Sequence, residues 1–434
     1  MANNVVVIGG GISGLTAAHK LAKDGHSVTL VESTQQLGGL GTYFNFQGKW
    51  IDKFYHCIMP SDAPLLDLIG QVNLKNRMYW KPTRMGFIVD KERYAFNSAI
   101  DLLKFKPLKF TDRIRFGVAS LLLRQLGKGL DLDNTRIEDW FIKLYGRDVW
   151  KKILEPLFRS KFGSHAGSLP ALYIWERLGR EKNKSTRGYI NGGLKTLIDA
   201  IEENIVKYGG KILLNTSVEK IDQTGEKMKV TLSGGETLES DWVISTIPVP
   251  LLKNAISGTS LENQSELPEL TYQGVVNALF FLKKPLDNFY WQPVVNSGTE
   301  FDGVVEMTEL VKTEQYNGNF MIYTMKYCGK DSELFKEDEN SIATRWKEQL
   351  KTLFADLDLK DEDFTEIKIF KAPFVEPIYP LGYSKLKPET RIGNSNLLLA
   401  TSAQVYPSIT SWNSSVGLAN KVVDYLYELE SGKT

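Results

Sequence analysis

At 434 residues the chain exceeds what one hydrophobic core usually serves, so two domains are expected. Hydrophobic residues at 42% and charged residues at 24% fit a soluble globular protein, and a net charge of +1 gives no electrostatic case for nucleic acid as a partner. Two cysteines, Cys57 and Cys328, exclude a disulfide framework and suit a reducing cytosol, and no apolar run approaches the roughly 20 residues of a spanning helix.

The chain enters the apolar run Val5–Ile8 almost at once, which leaves no room for a secretory signal peptide. That run suits a buried parallel strand. Gly9, Gly11 and Gly14 follow as G-x-G-x-x-G, with Ile12 and Ser13 opening a helix. The first glycine permits the turn, the second lets a pyrophosphate approach the backbone, and the third lets helix pack on strand. The helix N-terminus then points at the phosphates. A second strand, "SVTLVE", ends in Glu32, followed by Ser33, and Glu32 is placed to accept hydrogen bonds from a ribose diol. These residues predict a dinucleotide site and leave NAD and FAD both open.

In "QQLGGLGTYFNFQGKWID", Gly38, Gly39 and Gly41 again admit a ligand close to the backbone, with Leu40 between them. Here the sequence resembles the superfamily of flavin-containing amine oxidases, protoporphyrinogen oxidases and phytoene desaturases. The resemblance implies FAD, with the di-glycine segment along its phosphates and ribityl chain.

The next stretch, "WIDKFYHCIMPSD", sets His56 beside Cys57. Neighbours on an extended segment point to opposite faces, so a Cys–His catalytic pair is disfavoured. The four histidines, His19, His26, His56 and His165, show no metal-ligand spacing, and no metal is expected. In the resembling family this stretch passes the flavin, and in the distantly related UDP-galactopyranose mutases a histidine there borders the ring. His56 is therefore expected near flavin N5 as a proton partner or hydrogen bonder, the alternative being a structural histidine bonded to backbone. Asp52 reads as a turn or helix-capping acid.

The segment 91–185 reads helical, with apolar residues at i, i+3, i+4 spacing. Seven Lys or Arg between Lys104 and Lys128 face one acid, Asp112, and flank Ile114, Val118, Leu121 and Leu122. That pattern suits a peripheral membrane contact on anionic lipid, or else a cap helix turned toward the core. Arg84, Arg159 and Lys161 are candidate substrate-binding cations, with interdomain salt bridges as the alternative for each.

"GYINGGLKTLIDAIEENI" resembles the family's Gly-Gly-Leu turn opening a helix. The strand, hairpin and strand over 215–252 would bring Val218 to adenine through backbone atoms and Thr246 to the cofactor. Between 266 and 384, "GVVNALFFL" and "NFMIYTMKY" predict a sheet, with Asp331 to Asp363 as a solvated acidic stretch. "EPIYPLGY" supplies Tyr379 as a second candidate catalytic residue, because the family places aromatic side chains at the flavin. The closing strand and helix resemble those that hold the isoalloxazine ring, with Trp412 beside it. Where the family usually has a Gly and an acid after that strand, this chain reads Ala400, Thr401 and Ser402; a Ser402 hydroxyl would accept the same hydrogen bond more weakly.

The expected fold is α/β: a Rossmann-like FAD-binding domain from 1–90, 186–265 and 385–434. A mixed α+β substrate domain comes from 91–185 and 266–384. The implied function is an FAD-dependent oxidoreductase, cytoplasmic or peripheral on the cytoplasmic membrane face, that takes a hydride from a small, lipophilic substrate. The rivals are a redox-neutral flavoenzyme like UDP-galactopyranose mutase, and an FAD-bearing protein without turnover.

Overall fold

The computed structural model describes residues 2–180 and 186–432. Its first unit is β1 (Asn4–Ile8), α1 (Ile12–Lys23) and β2 (Ser27–Val31). Val5 and Val7 face one apolar cluster with α1, while Val6 and Ile8 face another on the opposite side. Both faces of the strand are covered, which is why the run is continuously apolar rather than alternating.

β1 and β2 lie inside a five-stranded parallel sheet ordered Leu397–Leu399, Trp242–Ser245, β1, β2, Lys211–Leu213. On one face α1 packs between the helices Leu194–Lys207 and Trp412–Glu430. On the other lies a three-stranded antiparallel sheet, Val218–Thr224, Lys227–Leu232 and Thr237–Ser240, whose Ile221, Met228 and Val230 share a core with Val6.

A seven-stranded sheet forms the second layer system, ordered Phe364–Ile378, Thr271–Leu282, Phe320–Cys328, Gly303–Glu306, Trp291–Val295, Gly86–Val89, Glu92–Ala95. Gly86–Val89 thus pairs with this sheet, although residues up to 90 were expected with the flavin segments. One face carries Phe280 and Ile322 against the helix Glu339–Leu353. The acidic stretch 331–363 is therefore not merely solvated: Ile342, Trp346 and Leu350 are fully buried, an apolar stripe at helical spacing that its charge had masked. The other face carries Leu279, Phe281 and Tyr323 toward the hairpin Tyr43–Phe46 and Lys49–Asp52. The helices Phe110–Leu126, Ile137–Tyr145, Glu155–Phe162 and Ala171–Arg180 fill most of the first insert.

Candidate functional site

The glycines arrange a cradle at the carboxyl end of β1. Gly9 takes φ +102°, and its N–H donates to the Val31 carbonyl at 2.9 Å. A Cβ on Gly14 would collide with the Gly9 carbonyl, so helix and strand approach as closely as backbone allows. A Cβ on Gly11 would meet nothing nearer than Gly39 Cα, 3.9 Å away: this position opens onto free space. No side chain caps α1, and no acid sits in its first turn, so its N–H groups remain available to an anion. Ile12 is buried and offers only its backbone there, while the Ser13 hydroxyl reaches toward the Ser415 carbonyl at 3.5 Å.

Glu32 Oε2 accepts from Gly10 N–H at 2.7 Å, and Oε1 accepts from Thr34 N–H and hydroxyl, each at 2.8 Å. Ser33 is exposed, with its hydroxyl 3.3 Å from Oε1. Oε1 is filled by these donors, while Oε2 takes only the Gly10 N–H and keeps an acceptor position for a ribose hydroxyl. Thr216 N–H donates to the Glu32 carbonyl at 2.9 Å, which brings half-buried Val218 to the same end of the sheet. The Thr246 hydroxyl donates to the Ile8 carbonyl at 2.9 Å, so this residue buttresses the glycine turn from behind.

The di-glycine turn closes over the cradle. Gly38 N–H donates to the Gly10 carbonyl at 2.8 Å, with Gly38 and Gly39 at φ +119° and +57°. A Cβ on Gly41 would overlap the Trp412 indole, and half-buried Leu40 borders the same apolar cluster as Tyr55 and Cys57. On its other side Trp412 meets His56, ring centroids 5.6 Å apart. His56 Nδ1 lies 2.9 Å from the Phe54 carbonyl and so carries the proton, leaving Nε2 as a bare acceptor. Burial lowers the His56 pKa, outweighing that backbone bond, so the ring is neutral at physiological pH.

Tyr55, His56, Cys57, Lys161 and Tyr327 lie deep in the molecule yet keep part of their surface open, from which we infer an internal cavity that they border. Burial pushes the Cys57 thiol up, with Tyr290 and Arg187 beside it, so no thiolate nucleophile is available. The Tyr55 and Tyr327 hydroxyls approach each other, and both are raised by burial. Lys161 Nζ sits 2.6 Å from Glu376, which also takes the Tyr173 hydroxyl. Burial lowers the Lys161 pKa, the Glu376 charge opposing it. Arg177 acts electrostatically on Tyr55, Lys161 and Tyr327 from the helix Ala171–Arg180.

Three expected site residues stand elsewhere. Arg84 lies in the link between the strands Met78–Pro82 and Gly86–Val89, is exposed, and stacks over Phe289, 5.1 Å from the ring centroid. Arg159 is 61% exposed in an i,i+4 pair with Glu155 at 2.6 Å. Tyr379 is 1% exposed within a cluster with Tyr173, Tyr383 and Tyr406, and its hydroxyl donates to the Ser402 carbonyl at 3.2 Å. It is walled off from the cavity and steadies the half-buried Ser402 turn instead. Tyr55, Tyr327, Arg177, Arg187 and Glu376 were missed as individuals. Tyr55 and Glu376 lie in segments whose chemistry had drawn notice, but direction of a side chain is set by packing partners far along the chain.

The profile of the family described as flavin containing amine oxidoreductase matches residues 12–409. The chain belongs to this family. It is an FAD-dependent oxidoreductase, and the glycine cradle, the uncapped α1 and Glu32 fit the cofactor's diphosphate and ribose. It is 24% identical over 425 residues to the 15-cis-phytoene desaturase of Solanum lycopersicum, covering 88% of this chain and 72% of that one. Its fold is that of a protein from Exiguobacterium sp. assigned as a protoporphyrinogen oxidase: TM-score 0.77, 16% identity, 99% of each chain covered. A reduced UDP-galactopyranose mutase shares it at TM-score 0.76 and 17% identity, over 99% of this chain and 96% of that one.

Proposed function

We propose that the protein takes a hydride from a C–H or C–N carbon of a small, lipophilic substrate, with flavin N5 as acceptor. Bound FAD supplies the hydride-accepting chemistry. The carrying observation is the placement of neutral His56, Nε2 unprotonated, on the cavity wall against Trp412. His56 holds an acceptor lone pair toward the substrate space and takes the proton that a substrate N–H, or a neighbouring C–H, gives up as the hydride leaves carbon, the freed bonding pair forming C=N or C=C. Tyr55 and Tyr327 give that space flat, largely apolar walls, and the surrounding sheet and helices exclude water. Lys161, held by Glu376, offers a cation for an acidic substituent.

Anaerobic mixing of FAD-loaded protein with amines, porphyrinogens and polyenes tests this reading. Loss of the flavin's visible absorbance with one class supports it; an unchanged spectrum with all of them sinks it. A redox-neutral reading is favoured by one observation, the gathering of Lys161, Arg177 and Arg187 about the cavity, which suits a sugar diphosphate. It requires turnover of a UDP-sugar only after chemical reduction of the flavin.

A further inference from the structure

Nine of the sixteen large apolar side chains that stand exposed among the described residues lie between Ile100 and Leu130. Most belong to the helix Phe110–Leu126, which has two apolar faces. At roughly 100° per residue, buried Ala119 and Leu123 and half-buried Phe116 share the inward side. Phe110, Ile114, Val118, Leu121 and Leu122 share the opposite side, 64%, 44%, 52%, 83% and 46% exposed. The sequence pattern is therefore not the stripe of a cap helix turned inward: the inward stripe is a different one. Leu102 of the short helix Ala99–Lys104 closes on Gly117, which sets exposed Ile100 and Leu103 beside the outer stripe.

Charge frames this surface. On the same wheel Arg113 and Arg124 flank one edge of the stripe and Arg115 the other. Arg113 and Arg115 donate to backbone carbonyls of Leu103, Leu108, Lys143 and Leu144, which fixes them without neutralising them. Lys109 faces Asp148 at 3.7 Å and Arg124 faces Glu176 at 4.0 Å. Lys104, Lys106 and Lys128 are exposed and form no ion pair among the described residues.

We propose that this face docks at the headgroup and acyl boundary of an anionic lipid bilayer, the apolar stripe inserted and the basic rim on the headgroups. Leu-rich insertion and Lys/Arg attraction act together at such a boundary, and each alone binds weakly. A second copy of the chain is the poorer occupant, since Lys104, Lys106, Arg113, Arg115 and Lys128 form no ion pair among the described residues and two such faces would repel. The docking goes beyond the hydride-transfer reading and does not rest on it. The same helical insert also supplies Lys161 and Tyr173.

The test is co-sedimentation of the FAD-loaded full chain with phosphatidylcholine vesicles, with and without phosphatidylglycerol, at low and high salt. The wild type is expected to pellet with the anionic vesicles and to be released by salt. The double variant Val118→Asp, Leu121→Asp is expected to bind about tenfold more weakly or worse, with its flavin spectrum and melting temperature retained. Reversing Lys104, Lys106 and Lys128 to Glu removes the preference for phosphatidylglycerol. A wild type left in the supernatant, or an aspartate variant that pellets equally, overturns the proposal. So does a dimer in solution that the same aspartates dissolve. Sedimentation reads no turnover, so its failure and that of the oxidase reading are separate outcomes.

Discussion

At the scale of single residues, His56 and Tyr379 make opposite cases. His56 has its Nδ1 committed to the Phe54 carbonyl and its Nε2 bare, so its value to the reaction is a directed lone pair. His56→Ala is expected to retain FAD and lower the rate of flavin reduction by about a hundredfold, measured by anaerobic stopped flow. Because burial depresses the imidazole, the wild-type rate falls only below the ordinary value of 6.5, as Nε2 takes a proton, and is level above it. The alanine variant loses that acid limb. Tyr379 is expected at the flavin only because the resembling family places aromatic side chains there. Its hydroxyl serves Ser402 and its ring fills a cluster, so Tyr379→Phe should cost about 1 kcal/mol in a denaturant titration and leave flavin reduction nearly unchanged. The contrast explains what was legible at this scale. His56 was flagged by a matched motif, which carries position. Arg84 and Arg159 rest on side-chain chemistry, and Tyr379 on a family preference for aromatics with no motif to fix its position; neither says which way a residue points.

At the scale of the element, the glycine turn was readable because each glycine answers a local steric demand. Gly14 is needed by the protein and Gly11 by the ligand. A Cβ on Gly14 runs into backbone that cannot yield, whereas one on Gly11 lies 3.9 Å from its nearest protein atom. The two alanine variants should therefore separate folding from binding. Gly11→Ala is expected to fold with the wild-type melting temperature as apoprotein and to bind FAD at least about tenfold more weakly, roughly 1.4 kcal/mol. Gly14→Ala should lose both, since the loop can form only by pushing α1 off the sheet. Calorimetric melting of apoprotein and fluorescence titration with FAD read the two quantities. Equal losses of FAD affinity and apoprotein stability in Gly11→Ala would show that the notch belongs to the fold. The helix Glu339–Leu353 was less legible for a physical reason as well: its stripe of Ile342, Trp346 and Leu350 is narrow, and acidic neighbours set the tone of the window.

At the scale of the whole molecule, the order of the parallel sheet draws on β1, β2 and three strands that begin at Lys211, Trp242 and Leu397. Every strand but Lys211–Leu213 was legible in the sequence, but nothing local to Leu397–Leu399 says that it lies beside Trp242–Ser245. Backbone ladders and shared apolar cores join such distant pieces, and buried polar contacts on Asp52 tie the hairpin to a helix and to the wide sheet. Asp52 Oδ1 accepts from Leu194 N–H at 3.2 Å and so caps the helix Leu194–Lys207, a role expected of this acid but not with that partner. Its carboxyl also holds the Tyr189 hydroxyl, and its carbonyl accepts from the Tyr323 hydroxyl at 2.7 Å. Gly192 and Gly193, at φ +93° and +78°, let the chain turn close enough for this contact. Burial lifts the Asp52 pKa from 3.8 to about 7, the Tyr189 and Leu194 hydrogen bonds opposing it. The unfolded chain ionises this group at the lower value and the folded chain at the higher. Its contribution is thus complete below 3.8 and is lost as pH rises toward and through about 7. Over the last pH unit below 7 the loss should be about 1 kcal/mol. Asp52→Asn keeps an acceptor for Leu194 N–H and cannot ionise, so its melting temperature should decline less than the wild type's across that range, Glu306 contributing equally to both. His56 acts with the opposite sign and at lower pH, destabilising the fold as pH drops below 6.5, so the difference between wild type and Asp52→Asn isolates the carboxyl. Parallel curves for the two proteins would mean that Asp52 stays ionised in the fold, and that the junction of hairpin, helix and wide sheet is held by a charged cap.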